Sequence, residues 1–213
     1  FAQSFLTHYF DHFKGKFLFI SGDVNPRLSI QEVGELYLWD LPFLLAGVYL
    51  LIRRREKAGL ILAVWLGIVL LPASTARETP HALRTLSSLP TWQITTAYGF
   101  FGVYSLVKKR WKTIFLLLAS CFLFLNIFYY LHMYWVHYPR DWSQEWQYGY
   151  KEMVQYVSSI EGDYDQIVVT EAMGRPYIYF LFYQKYPPQK FWQERKASRD
   201  WWGLWEVNGF GKY

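Results

Sequence analysis

The sequence predicts an α-helical multi-span membrane protein, with about four transmembrane helices and a small extracytoplasmic α/β tail domain. The first reason is composition: of 213 residues, 53% are hydrophobic and 22% aromatic, while 18% are charged. So many aromatic residues exclude a disordered chain. The second reason is distribution, because uncharged stretches fill positions 41–52, 58–76, 85–107 and 113–138. The last two are as long as the roughly 20 residues that a bilayer span needs.

Residues 1–35 are predicted to form an extracytoplasmic interfacial helix and loop. Positions 1–20 are too charged to span a bilayer, but Phe1, Phe5 and Tyr9 recur near helical spacing. That spacing is typical of an amphipathic helix lying in the membrane interface.

Two histidines in this helix, His8 and His12, are four residues apart and therefore share a face. Two imidazoles on one face can bind a metal, but no convincing third ligand accompanies them. We therefore predict no metal site. The turn-rich loop 22–27 that follows is either a structured connector or a holder of polar groups over an external cavity.

Residues 36–135 are predicted to form the transmembrane helical domain. The predicted spans are 36–52, 58–75, 89–107 and 113–135. Asp40, within a turn of the outer end of the first span, is expected at the interface. Two short loops carry the excess positive charge, +3 at residues 53–57 and +4 at residues 108–112.

Short basic turns between apolar runs follow the positive-inside rule, and they argue against a nucleic-acid partner. Both loops are therefore predicted to face the cytoplasm. Residues 1–35, the loop 76–88 and everything after about residue 136 then face outward.

Residues 136–213 are predicted to be the extracytoplasmic α/β tail, truncated at its end. Asp141 or Ser143 is expected to cap a helix that runs to about Ile160. The β-branched run 166–170 predicts a buried strand, and the aromatic run Tyr177–Tyr183 predicts a helix. The final stretch contains Trp201, Trp202 and Trp205. It predicts either edge strands or a surface completed by further sequence.

Familiar catalytic motifs are absent from the sequence. It has neither a phosphate-binding glycine loop nor a nucleophile elbow. The single cysteine, Cys121, excludes an internal disulfide. No cofactor is therefore predicted.

The outer loop 77–84 is the constellation with the clearest chemical meaning. Thr79 is expected to be the N-cap of a short helix with Pro80 in its first turn, so that His81 and Arg84 share a face. A cation pair beside a helix N-terminus suits a phosphate at the headgroup level. The alternative is that Arg84 reaches lipid headgroups at the end of a span.

Three motifs resemble a known family. They are Gly22-Asp23-Val24-Asn25-Pro26-Arg27 ahead of Gly34-Glu35-Leu36-Tyr37, Glu78-Thr79-Pro80-His81-Ala82-Leu83-Arg84 ahead of Leu89-Pro90, and Pro176-Tyr177-Ile178-Tyr179-Phe180-Leu181-Phe182-Tyr183. Together they resemble the carboxyl-terminal half of the C-type membrane-integral glycosyltransferases. The similar branch contains the protein O-mannosyltransferases and the aminoarabinose transferases.

The resemblance implies an enzyme of a bacterial-type plasma membrane that moves a sugar from a polyprenyl-phosphate donor to an extracytoplasmic acceptor of unknown identity. It implies donor-phosphate binding by Arg84 and His81. A possible cavity loop comprises Asp23, Asn25, Arg27 and Glu78. The general base of such enzymes lies upstream of the part that this chain resembles, so no catalytic residue is assigned and this chain alone is expected to be inactive.

Two other functions remain open. One is a non-enzymatic membrane assembly or transport component whose outer tail binds a partner protein. The other is a polysaccharide polymerase or ligase that also acts on lipid-linked sugars.

Overall fold

The computed structural model describes residues 2–201 and 203–213, so the predictions that involve Phe1 and Trp202 lie outside the described residues. The chain is mostly helical, at 65%, with one small two-stranded sheet in the described part. The α-helices are α1 (Ala2–Asp11), α2 (Leu41–Arg54), α3 (Lys57–Val69), α4 (Leu89–Leu106), α5 (Lys112–His132), α6 (Tyr138–Asp141), α7 (Tyr150–Ile160), α8 (Tyr177–Tyr183) and α9 (Pro188–Glu194). The strands are β1 (Lys196–Arg199) and β2 (Trp205–Gly209). The chain divides into two compact units, one ending at Arg140 and the other beginning at Asp141.

In the first unit, α2 and α4 pack with their backbones almost in contact. A Cβ atom at Gly99 of α4 would lie 1.9 Å from the carbonyl oxygen of Phe43, and one at Gly47 of α2 would lie 2.0 Å from that of Thr95. Only glycine leaves room for such an approach. This contact fixes α2 against α4, and loops 22–27 and 77–84 precede these two helices in the sequence.

Helices occupy all four predicted spans. Within the described residues, two helical stretches are long and apolar enough to cross a membrane, Lys57–Thr75 and Lys109–Asp141. The helix α2 has 14 residues, fewer than the roughly 20 that a span needs. The helical character of these regions is therefore confirmed, while the four-span topology stays a prediction.

The second unit is built on a small aromatic core. Val154 of α7, Phe180 of α8 and Phe191 of α9 are buried together with Phe210, which directly follows β2. The strands β1 and β2 pair antiparallel. The predicted helix over Tyr177–Tyr183 is confirmed. Of the two alternatives left open for the end of the chain, the structure contains strands, β1 and β2.

Two predictions for the second unit are wrong. Residues 166–170 form no strand, and Val168 is 88% exposed, because no described strand pairs with this β-branched run. The helix predicted from Asp141 or Ser143 begins as α7 only at Tyr150. Before it, Gln147 and Gly149 adopt positive φ angles of 58° and 96°, which continuous helix does not allow.

Candidate functional site

Two loops that are distant in the sequence meet at the carboxylate of Asp23. This side chain is almost fully buried, with 2% of its surface exposed. Its Oδ1 accepts a hydrogen bond from the backbone N–H of Asn25 at 2.8 Å, and its Oδ2 accepts one from the backbone N–H of Ala82 at 2.7 Å. A buried carboxylate needs such donors, because desolvation otherwise penalises the charge heavily. Asp23 therefore joins loop 22–27 to loop 77–84.

His81 is held against the same carboxylate. Its Nδ1 lies 3.9 Å from Oδ2 of Asp23 and accepts a hydrogen bond from the backbone N–H of Arg84 at 3.4 Å. When Nδ1 is an acceptor, the neutral ring carries its proton on Nε2. In this state, His81 can donate one hydrogen bond from Nε2 to an oxygen of a ligand.

The predicted capping of this loop is wrong. The short 3-10 helix spans Leu83–Ser88, and the residue before it is Ala82, not Thr79. Thr79 instead donates its hydroxyl to Oδ2 of Asp11 at 2.8 Å, so a long-range acceptor replaces the expected cap. His81 precedes the helix, so it does not share a helix face with Arg84, whose side chain is exposed.

Asp11 and His12, at the end of α1, complete the buried polar cluster. Asp11 lies 2.7 Å from Nζ of Lys14. Burial raises the pKa of Asp11, but hydrogen bonds from Lys14 and Thr79 outweigh it and the pKa is lowered overall. His12 is 1% exposed, and burial lowers its pKa.

The absence of a metal site stays a prediction, and the two histidines of the first segment differ in burial. His12 is fully buried, whereas His8 is half-buried. Among the described residues, no group of three or more histidine, cysteine, aspartate or glutamate side chains is arranged to hold a metal ion.

The other members of the predicted cavity loop occupy different positions. Asn25 accepts a hydrogen bond on Oδ1 from the backbone N–H of Arg27 at 3.0 Å, which closes the turn. Arg27 and Glu78 are exposed, like Arg84. The structure thus brings Asp23, Asn25 and His81 together and leaves the other three side chains at the protein surface.

Glu35, part of the motif Gly34-Glu35-Leu36-Tyr37, is a titratable group to which the sequence pattern assigns no role. Burial, together with the negative charge of Asp23, raises its pKa to about 7. It lines a cavity of about 440 Å³, together with Asp40, Gln93 and Tyr130. The sequence signal that could have identified Glu35 is its position as an acid directly before an apolar run. A carboxyl with this pKa can exchange a proton near neutral pH.

Replacing Glu35 by glutamine is expected to remove a pH-dependent loss of stability. The folded-state pKa of about 7 exceeds the usual 4.5, so wild-type stability is fully present below pH 4.5 and falls as pH rises through 7. Glu35→Gln should therefore be more stable than wild type at pH 8, by about 1–3 kcal/mol. Chemical unfolding between pH 5 and pH 8 measures this difference.

The matched control is Glu32→Gln, since Glu32 is an exposed acid of the same loop. Its effect on the free energy of unfolding should be small, because the side chain is exposed. A Glu35→Gln effect of equal size at pH 5 and pH 8 would contradict the shifted pKa.

Comparison of the chain with known proteins identifies no relative. No protein family model, curated protein or solved structure matches the chain. The resemblance to membrane-integral glycosyltransferases therefore rests on the three sequence motifs.

Proposed function

We propose that this chain is part of a membrane-integral glycosyltransferase that moves a sugar from a polyprenyl-phosphate donor to an extracytoplasmic acceptor. One observation supports it above the others. Two of the three motifs that carry the resemblance, loops 22–27 and 77–84, meet through the hydrogen bond between Asp23 and Ala82, across 59 residues of sequence. Loops that act on one substrate must converge in this way.

The chemistry of the converged loops suits a lipid-linked phosphate. As the sugar leaves, negative charge develops on the donor phosphate and needs cationic or hydrogen-bonding partners. The exposed guanidinium of Arg84 offers two parallel donors, and His81 offers Nε2–H. Asp23 competes weakly for these two donor groups, because both its oxygens already accept backbone N–H bonds.

The proposal includes a multi-pass topology in a bacterial-type plasma membrane. The basic segment 53–57 joins α2 to α3, and the basic segment 108–112 joins α4 to α5. If all four helices span, both segments lie on the cytoplasmic side, as the positive-inside rule requires. The converged loops and the tail then lie outside, at the level of the donor headgroup.

A non-enzymatic assembly component remains a second candidate, favoured by the tail. Exposed tryptophans of the second unit, Trp192 at 63%, Trp201 at 81% and Trp205 at 54%, are side chains that protein interfaces often bury. In that case the outer cations would tolerate substitution.

Cysteine labelling tests the proposed topology. In a Cys121→Ser background, a cysteine at position 84 should react in intact cells with a membrane-impermeant maleimide, whereas cysteines at positions 57 and 109 should react only after lysis. The reason is that the bilayer separates the two loop sets. Labelling of position 57 from outside would contradict the topology.

Sugar transfer by the full-length protein tests the proposed reaction. Arg84→Ala should lower transfer at limiting donor by about tenfold to a hundredfold, since a charge-assisted bond to phosphate is lost. Arg84→Lys should also be impaired, because an ammonium cannot make the bidentate contact.

The matched control is Arg110→Ala, an exposed arginine of the other loop set, which should transfer normally. Equal, near-wild-type rates for Arg84→Ala and Arg110→Ala would show that Arg84 binds no donor phosphate. With expression confirmed, that result would favour the assembly component.

A further inference from the structure

A second cavity lies between α2, α3 and α4 and extends from Leu44 and Thr91, near the start of α2 and α4, to the turn between α2 and α3. Its volume is about 370 Å³. Its wall is largely aliphatic, with Leu44, Val48 and Leu51 from α2 and Leu60, Ala63 and Leu66 from α3. Such a surface is suited to a hydrocarbon chain.

Basic residues follow the cavity at the turn between α2 and α3. Arg53 donates to the hydroxyl of Tyr49 at 2.7 Å, and Arg54 donates to the hydroxyl of Tyr98 at 2.9 Å. Glu56, an acid that lines the cavity, accepts a hydrogen bond from Tyr98 and lies 3.9 Å from Arg54. These three charged side chains are therefore already engaged.

Two cations of the same turn remain available. Arg55 lines the cavity, and both Arg55 and Lys57 are exposed. Within the part of the chain that the structure describes, neither side chain has a hydrogen-bond or ion-pair partner. An apolar groove thus ends beside two unpaired positive charges.

We propose that this cavity binds an anionic phospholipid of the cytoplasmic leaflet. One acyl chain lies in the groove between α2 and α3, and the headgroup phosphate pairs with Arg55 and Lys57. Charge complementarity selects anionic over zwitterionic headgroups. The assignment to the cytoplasmic leaflet rests on the topology of the proposed function.

Lipid binding to the purified full chain in a neutral detergent tests the site. Native mass spectrometry should show more bound phosphatidylglycerol than phosphatidylcholine. Arg55→Gln should weaken phosphatidylglycerol binding by about fivefold, the contribution of one cation near a charged headgroup. Ala63→Phe fills the groove without changing charge and should also weaken binding.

Arg110→Gln, in the other basic segment, is the matched control and should bind like wild type. Equal binding by Arg55→Gln and Arg110→Gln would overturn the proposal. So would full competition by glycerol 3-phosphate, since that result would mean that the site binds a free phosphate and needs no acyl chain.

The lipid assay contains no sugar donor, so its outcome is separate from that of the transfer assay. Loss of selectivity in Arg55→Gln supports the lipid site even if transfer fails. Unchanged selectivity contradicts the lipid site even if transfer succeeds.

Discussion

The buried carboxylate of Asp23 is the constraint on which the arrangement of loops 22–27 and 77–84 depends. A charge that is only 2% exposed is tolerated because two backbone N–H groups, from Asn25 and Ala82, donate to it. The bond to Ala82 fixes loop 77–84 and sets His81 against the carboxylate. The same negative charge adds to burial in raising the pKa of Glu35. Asp23 thus positions the hydrogen-bond donor His81 and contributes to the raised pKa of Glu35, which titrates near neutral pH.

The helices α2 and α4, which follow loops 22–27 and 77–84 in the sequence, support the contact between the two loops. Close contact between α2 and α4, at Gly47 and Gly99, lies near the middle of both helices. Loops 22–27 and 77–84 precede the N-terminal ends of these two helices in the sequence. At the other end, the turn 53–57 is tied to α4 through the hydroxyl of Tyr98. The same two helices therefore follow the loops of the first site and line the cavity of the second.

Local patterns in the sequence predicted the helices, but long-range contacts decided the site. Apolar runs predicted helices where α2 to α5 lie, and the aromatic run predicted α8. Thr79 looked like an N-cap because its acceptor, Asp11, lies 68 residues away and is invisible to local pattern. The run 166–170 has strand propensity but lacks a described partner strand. The pKa of Glu35 depends on burial and on Asp23, and neither can be inferred from spacing.

Hydrogen–deuterium exchange of loop 77–84 tests the central claim most directly. If Asp23 holds this loop, Asp23→Ala should speed exchange at the Ala82 amide by about tenfold or more, since its acceptor is lost. Asp23→Asn keeps a carbonyl acceptor and should have a smaller effect, and exchange in α7 of the second unit should not change. Unaltered exchange at Ala82 in Asp23→Ala would contradict the account.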